Sequence, residues 1–213
     1  MLRKGILFIL SGSSGVGKST LCKHIMRSTP DIQLSVSYTT RSIRPGEEHG
    51  REYCFIDEAT FRQMTHEDAF LEWAKVYGNL YGTPRQELMQ LKEQGQDVIL
   101  DIDIQGARNV MKNAHDAVSV FLMPPSMDIL KLRLEARGTD APDVVERRFQ
   151  KAQVEMEYHV EYEYTIRNGS LEQATKEFES IILAERVRTK RLDQAWLHSQ
   201  GLLGKEKQRE IVS

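Results

Sequence analysis

Short runs of consecutive apolar residues recur along the chain, and each is followed by a segment with the spacing of an amphipathic helix. The apolar runs cover residues 5–11, 97–103, 117–123 and 164–168, and the helical patterns cover 19–28, 105–113, 126–137 and 170–190. Strands that alternate with helices are typical of an α/β fold with a mostly parallel sheet and crossover helices. Ligands of such folds bind at the carboxyl ends of the strands, so we expect functional residues directly after these runs.

Two segments interrupt this alternation and predict inserted lobes. Residues 35–84 contain alternating patterns at 51–56 and 70–77, which are typical of a small mixed or antiparallel sheet. Residues 131–157 have a helical pattern, with a turn at 137–142 between two helices.

The remaining segments predict a core that is interrupted twice along the chain. This core comprises residues 1–34, 85–130 and 158–190. Residues 191–213 form a charged tail, which we expect to extend the last helix on the surface. Self-association through this tail into a homo-oligomer is the alternative.

Composition and charge exclude several classes of function. Of 213 residues, 40% are apolar and 28% charged, and 29 Lys and Arg against 31 Asp and Glu give a net charge of −2. Because a net positive charge is missing, we expect no nucleic-acid partner, and any bound anion must be held by a local cluster. No run approaches the ~20 apolar residues of a membrane helix, and the first run is too short for a secretory signal. The two cysteines, Cys22 and Cys54, suit a reducing cytoplasm.

A glycine-rich loop follows the first apolar run and carries the strongest chemical signal. Gly12-Ser-Ser-Gly-Val-Gly-Lys18-Ser19 matches the phosphate-binding P-loop pattern GxxxxGK[ST]. Glycines let backbone N–H groups converge on phosphate oxygens, Lys18 adds a positive charge, and Ser19 is placed to bind Mg²⁺. The alternative is a glycine-rich turn that caps a helix. The residues expected to bind ATP here are Gly12, Ser13, Ser14, Gly15, Val16, Gly17, Lys18, Ser19 and Thr20.

Two groups of arginines lie in the predicted lobes, far from the P-loop in sequence. Arg41 and Arg44 belong to the first lobe, and Arg133, Arg137 and Arg148 to the second. Transfer of a phosphoryl group between two nucleotides requires positive charge on the acceptor as well as on the donor, and a lid can bring such arginines in and exclude water. The alternative for each arginine is an ordinary solvated position on a helix.

Several further motifs occur in an order that resembles the guanylate kinase family. They are Ser35-Val-Ser37-Tyr-Thr-Thr-Arg41-Ser-Ile-Arg44-Pro-Gly46-Glu, Tyr53, Phe70-Leu-Glu72-Trp-Ala, Gly78-Asn-Leu-Tyr81-Gly-Thr83 and Leu100-Asp-Ile-Asp103-Ile-Gln-Gly106. Together with the P-loop they extend the resemblance over about residues 4–190. The resemblance implies a P-loop core, a GMP-binding lobe and a mobile lid. It also implies that ATP and Mg²⁺ are used to phosphorylate GMP or dGMP in purine nucleotide metabolism.

The resemblance also implies roles for individual residues. Arg41 and Arg44, with the hydroxyls of Tyr53 and Tyr81, would hold the GMP phosphate, because arginine forks match phosphate geometry. The guanine base would be recognised by Glu72, Asp103, Ser37 and Thr83, and Lys18 with Arg133, Arg137 and Arg148 would neutralise the transferred group. Asn168 falls where the family places an Asn near the ATP adenine, although Gly169 follows it where the family often has Asp.

Asp101 lies two residues before Asp103 and therefore on the same face of the predicted strand. It is a candidate for holding Mg²⁺ through water, and an ordinary strand-end carboxylate is the alternative.

Two other functions remain open from the sequence. A related kinase could act on another small phosphate such as ribose 1,5-bisphosphate, but it would not need Glu72 and Asp103 beside Ser37 and Thr83. A non-catalytic guanylate-kinase-like module could bind a phosphoprotein through Arg41 and Arg44, but such modules have a degraded P-loop. The intact Lys18 and Ser19 therefore favour catalysis.

Overall fold

The computed structural model describes residues 3–76, 78–136 and 141–203. Each of the four predicted apolar runs contains a strand that is followed by a helix, whereas the strand at Ile32–Leu34 and the helix at Arg85–Glu93 are not predicted. The strands are β1 (Leu7–Ser11), β2 (Ile32–Leu34), β3 (Tyr38–Thr39), β4 (Cys54–Phe55), β5 (Phe70–Val76), β6 (Asn79–Pro84), β7 (Asp97–Asp101), β8 (Val118–Met123) and β9 (Tyr164–Arg167). The α-helices are α1 (Lys18–Ser28), α2 (Glu58–His66), α3 (Arg85–Glu93), α4 (Ile104–Asn113), α5 (Met127–Glu135), α6 (Pro142–Glu155), α7 (Leu171–Arg186) and α8 (Gln194–Ser199). Two short 3-10 helices cover Met156–Glu161 and Thr189–Arg191.

Five strands form the central sheet in the order β2-β7-β1-β8-β9, and every neighbouring pair is parallel. The register pairs Leu10 with Asp101 and Met123 with Arg167. The predicted α/β fold with a parallel sheet is therefore confirmed. Because the strands run in one direction, the segments that follow β1, β7, β8 and β9 meet at one edge of the sheet.

Helices cover both faces of this sheet, which explains why its strands are apolar runs rather than alternating patterns. On one face, Phe8 of β1 packs with Leu21 of α1 and Phe178 of α7. On the other face, Ile9 packs with Val110 of α4. Each fully buried side chain of this size stabilises the fold by about 1.5–3 kcal/mol.

A second, mixed sheet lies in the first predicted lobe, with the strand order β4-β3-β6-β5. Strand β3 is parallel to β4 and antiparallel to β6, and β5 is antiparallel to β6. Phe61 of α2 stacks on Phe70 of β5, with ring centroids 4.5 Å apart, and these two residues form a small core with Leu80. The sequence predicts the mixed sheet but not α2, and β4 is shorter than the pattern at 51–56 indicates.

Helices α5 and α6 form a pair in the second predicted lobe. Leu130 and Leu134 of α5 pack with Val145 and Ala152 of α6 in a core of their own. Two helices in this segment agree with the prediction, although α5 already begins at Met127. The predicted turn between them falls largely on residues 137–140, which lie outside the described residues.

The carboxyl-terminal segment does not extend the last long helix, so that prediction is wrong. Helix α7 ends at Arg186, and just beyond it Arg188 and Arg191 both bind the carboxylate of the buried Glu185. The short helix α8 begins only at Gln194. Across the described part of the chain, no helix is long and apolar enough to cross a membrane.

Candidate active site

The P-loop connects β1 to α1 at the carboxyl edge of the central sheet. The amino group of Lys18 lies over the loop and donates to the carbonyl oxygen of Gly12 at 2.9 Å. Helix α1 begins after Gly17, and no side chain caps its first turn. The unpaired N–H groups of a first turn and its helix dipole favour an anion at this position. The sequence-predicted loop therefore lies at an uncapped helix start, with the amino group of Lys18 bound back to its first glycine.

Ser19 and Asp101 meet beside this loop. The hydroxyl of Ser19 donates to Oδ2 of Asp101 at 2.6 Å. Asp101 reaches this position because the parallel register pairs it with Leu10, just before the P-loop. A hydroxyl and a carboxylate side by side match the oxygen ligands that Mg²⁺ prefers.

The backbone of the P-loop is also contacted from the opposite side. Nδ2 of Asn168 donates to the carbonyl oxygen of Val16 at 2.8 Å, and Nη1 of Arg133 donates to the same oxygen at 3.3 Å. Asn168 follows β9, whereas Arg133 belongs to α5. Two residues that the sequence places at the adenine and at the transferred phosphoryl group therefore contact the loop itself.

The second lobe carries two further predicted arginines, Arg148 and Arg137. Arg148 is half-buried on α6, the helix that packs on α5. Arg137 lies outside the described residues.

An acidic site lies at the start of α4, two residues after Asp101. The carboxylate of Glu72 on β5 accepts a hydrogen bond from the hydroxyl of Thr83 on β6 at 2.7 Å. Asp103 caps α4, where its Oδ1 accepts from the N–H of Gly106 at 3.0 Å. A Cβ on Gly106 would lie 2.9 Å from Oε2 of Glu72 and 3.3 Å from Oδ1 of Asp103. Both carboxylates therefore lie against Gly106 in the first turn of α4, where any larger residue would place its Cβ in contact with them.

Burial and charge act together on this acidic site. Burial raises the pKa of Glu72 to about 7, and the negative charge of Asp103 adds to the effect, whereas the hydrogen bond from Thr83 opposes it. Ser37, which is also buried, lies on the segment just before β3 of the same sheet. A ligand that donates hydrogen bonds to Glu72 would replace the hydration that burial removes.

A cationic and aromatic cluster forms the third part of the site. The guanidinium carbon of Arg41 lies 5.4 Å from the ring centroid of Tyr53 and 5.5 Å from that of Phe55. Tyr53 and Tyr81 meet edge to face, with centroids 5.8 Å apart. Arg44 follows on the same loop, and its backbone N–H donates to Glu47 at 2.8 Å. Arg41, Tyr53 and Tyr81 are thus in contact with one another, whereas Arg44 is exposed on the same loop as Arg41.

Glu47 is a residue of this cluster that sequence reasoning missed. Its two carboxylate oxygens accept from Nη1 and Nη2 of Arg41 at 3.0 and 2.8 Å. Burial opposes the charge of both partners, but their hydrogen bonds outweigh it, so the pKa of Arg41 is raised and the pKa of Glu47 is lowered. The signal in the sequence is the turn at Pro45-Gly46, which returns Glu47 toward the loop that carries both arginines.

The cationic and aromatic cluster lies close to Asp101 and to α1. Burial, followed by the negative charge of Asp101, raises the pKa of Tyr53, so its hydroxyl keeps its proton at neutral pH. Lys23 of α1 lies 3.7 Å from Glu52, next to Tyr53 in the chain. The cluster therefore adjoins the Ser19–Asp101 pair, and the Glu72–Asp103 site lies two residues beyond Asp101; we call the region between these groups the cleft.

The fold and this cleft define the class of P-loop nucleotide-binding proteins, because a P-loop follows the first strand of a parallel sheet and opens a helix beside a hydroxyl–carboxylate pair. Comparisons with known proteins define the family. The family model described as Guanylate kinase matches residues 4–185. The chain belongs to the guanylate kinase family.

Individual relatives are similar over nearly their whole length. The guanylate kinase of Syntrophomonas wolfei is 47% identical over 193 residues, which cover 91% of this chain and 99% of the relative. The guanylate kinase of Symbiobacterium thermophilum is 49% identical over 188 residues, 88% of this chain and 89% of the relative. The crystal structure of guanylate kinase from Anaplasma phagocytophilum has a TM-score of 0.79 and 31% identity, and the match covers 96% of this chain and 100% of that one.

Proposed function

We propose that this chain transfers the γ-phosphoryl group of ATP to GMP or dGMP and so produces ADP and GDP or dGDP, in purine nucleotide metabolism and GMP recycling. The observation that carries the proposal is that the P-loop and the buried Glu72–Thr83 pair are joined through one short segment, on which Asp101 binds Ser19 and Asp103 lies beside Glu72. A P-loop accounts for binding a nucleoside triphosphate. The acidic pair accounts for selecting an acceptor base that presents hydrogen-bond donors.

The donor half of the site binds ATP. Backbone N–H groups of residues 12–17 and the amino group of Lys18 bind the phosphates, and Thr20 continues the first turn of the helix. Asn168 lies beside the adenine. Ser19 binds Mg²⁺ directly and Asp101 binds it through water, since their hydroxyl and carboxylate already lie together. Bound Mg²⁺ supplies charge neutralisation on the ATP phosphates.

The acceptor half of the site binds GMP. Arg41, Arg44, Tyr53 and Tyr81 hold its phosphate, which is supported by the contacts of Arg41 with Tyr53 and of Tyr53 with Tyr81 and by the position of Arg44 on the same loop. Guanine presents the N1–H and the 2-amino group, which Glu72 and Asp103 accept, and the hydroxyls of Ser37 and Thr83 complete the contacts. Adenine presents an acceptor at N1 instead, so it would leave buried carboxylate oxygens unpaired.

The transfer step requires positioning and charge rather than a protein nucleophile. An oxygen of the GMP phosphate forms the new bond to the γ-phosphorus while the bond to the bridging oxygen of ADP breaks in line with it. Lys18 and the arginines Arg133, Arg137 and Arg148 neutralise the charge on the transferred group. These arginines belong to a lid at residues 131–157, which closes over the GMP-binding lobe at 35–84 and excludes water.

The location and assembly of the protein are part of the same proposal. Cys22 and Cys54 are both free thiols, which suits a reducing cytoplasm. The partners are the two nucleotides, and a homo-oligomer formed through the tail at 191–213 stays a prediction.

The decisive experiment measures ADP formation by the purified chain from Mg·ATP with GMP, dGMP, AMP, UMP, CMP or ribose 1,5-bisphosphate, and without acceptor. We expect activity with GMP and dGMP alone. The variant Lys18→Ala, purified in the same way, is the control for contaminating kinases and should lose at least ~100-fold in turnover, which corresponds to ~2.7 kcal/mol. Activity with the bisphosphate alone would overturn the acceptor assignment. No activity with any acceptor would favour the non-catalytic phosphoprotein-binding module.

A further inference from the structure

The carbonyl oxygen of Val16 is held from two directions by side chains distant in sequence. It accepts from Nδ2 of Asn168 at 2.8 Å, across 152 positions of the chain, and from Nη1 of Arg133 at 3.3 Å. Nη2 of Arg133 also donates to the backbone carbonyl of Asn168 at 3.1 Å. We name Asn168 and Arg133 the Val16 clamp. The three hydrogen bonds thus join Val16, Asn168 and Arg133 pairwise.

Asn168, one of the two clamp residues, is fixed to the end of the central sheet. Asn168 is buried, and its backbone N–H donates to Met123 O at the end of β8 at 2.7 Å. A Cβ on Gly17 would lie 2.5 Å from Nδ2 of Asn168, and Gly17 has a φ of +102°. Only glycine therefore combines this backbone conformation with the close approach of the amide.

The consequence for the P-loop comes from the geometry of the peptide bond. A trans peptide is planar, so the N–H of Gly17 points opposite to the C=O of Val16. Fixing that carbonyl against the side chains of Asn168 and Arg133 therefore directs the N–H of Gly17 away from these two residues, and backbone N–H groups of such a loop are the ones that bind phosphate oxygens. Because a carbonyl only accepts, the amide of Asn168 must turn its NH₂ group toward Val16.

We infer that Asn168 and Arg133 are positioning residues for the ATP phosphates, acting through the Val16–Gly17 peptide. The inference rests on the proposed function and adds to it, since both residues are otherwise expected to touch ATP directly. It also places a residue of α5, the helix that leads into the proposed lid, in contact with the P-loop backbone. Donor-phosphate binding and the position of α5 are thereby linked through one carbonyl group.

A spectroscopic test reads the Gly17 N–H directly. Val16–Gly17 is the one Val–Gly pair in the sequence, so labelling with ¹³C′-valine and ¹⁵N-glycine gives a single Gly17 signal. We expect Mg·ADP to shift this N–H downfield in the wild type, and the shift to fall by at least about half in Asn168→Ala and in Arg133→Lys. Asn113→Ala is the matched control, because it removes an amide-to-carbonyl bond of 3.1 Å to Asn109 within α4, away from the cleft. An unchanged shift in both clamp variants would overturn the inference.

Kinetics of the full chain provide the second readout. For each clamp variant we expect kcat/KM for ATP to fall about 10–100-fold, while KM for GMP stays within about twofold. Because both residues act on one carbonyl, the double variant should lose much less than the product of the single losses. Losses that multiply, or equal losses for ATP and GMP, would overturn the inference. If Mg·ADP shifts the Gly17 signal of the wild type, the clamp variants lose at least about half of that shift, and the wild type phosphorylates no GMP, the proposed function fails while the clamp is supported.

Discussion

Thr83 donates its hydroxyl hydrogen to Oε1 of Glu72 at 2.7 Å, across the paired strands β6 and β5. The register sets these two residues directly opposite each other, so the contact is built into the pairing of the strands. This bond holds a buried carboxylate in one orientation, with Oε2 directed toward the start of α4. The acidic site therefore exists before a ligand arrives, which lowers the cost of binding a guanine base.

The raised pKa of Glu72 predicts a pH dependence for GMP binding. Because the carboxylate must be charged to accept from guanine, kcat/KM for GMP should fall as the pH drops below about 7 and lose up to tenfold for each further pH unit. Rates measured between pH 5.5 and 8.5 with saturating Mg·ATP test this. Glu72→Gln is the control for the titration of GMP itself. If kcat/KM for GMP still falls below pH 7 in this variant, the pH dependence does not come from Glu72.

The same residue predicts an effect on stability with a definite sign. Glu72 titrates at about 7 in the folded protein and near its ordinary value of 4.5 when unfolded, so the folded state binds more protons between these values. The free energy of unfolding should therefore decrease as the pH rises through this window, by up to about 3 kcal/mol. Urea unfolding at pH 5 and pH 8 measures this change, and Glu72→Gln should reduce it. The wild type should therefore lose more free energy of unfolding between pH 5 and pH 8 than Glu72→Gln does. An equal or smaller loss in the wild type would contradict this prediction.

Glu47 should act on GMP through Arg41. The change Glu47→Gln removes the charge that orients the Arg41 fork, so KM for GMP should rise about tenfold while KM for ATP stays unchanged. Initial rates with each nucleotide varied in turn measure both constants. Glu48→Gln is the matched control, because Glu48 is exposed and pairs with Arg51 instead. Similar KM values for GMP in both variants would rule out this positioning role.

Gly106 should be required for the arrangement of the acidic site. In Gly106→Ala the new methyl group would meet Oε2 of Glu72, a flexible side-chain end, so the carboxylate moves and the fold is retained. We expect KM for GMP to rise by at least about tenfold, with little change in the melting temperature. Gly169→Ala is the control, since a Cβ there meets only Pro125 at 3.6 Å. An unchanged KM for GMP in Gly106→Ala would show that the carboxylates tolerate the methyl group.

Asp97 should matter for stability and not for catalysis. It is fully buried at the start of β7, at the edge of the sheet opposite to the site, and it binds Arg3 at 2.6 Å and Arg186 at 2.7 Å. Asp97→Asn leaves both arginines without their carboxylate and should lower the free energy of unfolding by about 3 kcal/mol. Urea unfolding measures this loss, with Asp116→Asn as the exposed counterpart, for which less than about 1 kcal/mol is expected. Equal losses in the two variants would contradict the account.

The sequence predicts those parts of the molecule whose pattern is local. The P-loop, the strand runs that precede it and Asp101, and the arginine loop at Arg41 are each read from a short stretch of residues. The apolar strands are long enough to define the central sheet, because burial on both faces leaves no other arrangement for such runs.

Contacts between distant segments are not predictable in this way. Val16 and Asn168 are joined by one hydrogen bond across 152 positions, and nothing in either local pattern indicates it. The break after α7 likewise depends on Glu185 being buried next to Arg191, while the local composition favours a continued helix. The role of Glu47 is an intermediate case, since its turn is visible in the sequence but its two bonds to Arg41 depend on the fold.

The central claim is that one cleft transfers a phosphoryl group to a base chosen by Glu72. The most direct test is the ratio of kcat/KM for GMP to that for AMP, measured at pH 8 for the wild type and Glu72→Gln. We expect the wild type to prefer GMP by at least ~10³-fold. In the variant this ratio should fall at least ~10-fold because kcat/KM for GMP falls, while KM for ATP is unchanged. A variant that keeps the full preference, or that loses activity equally with both acceptors, would contradict the claim.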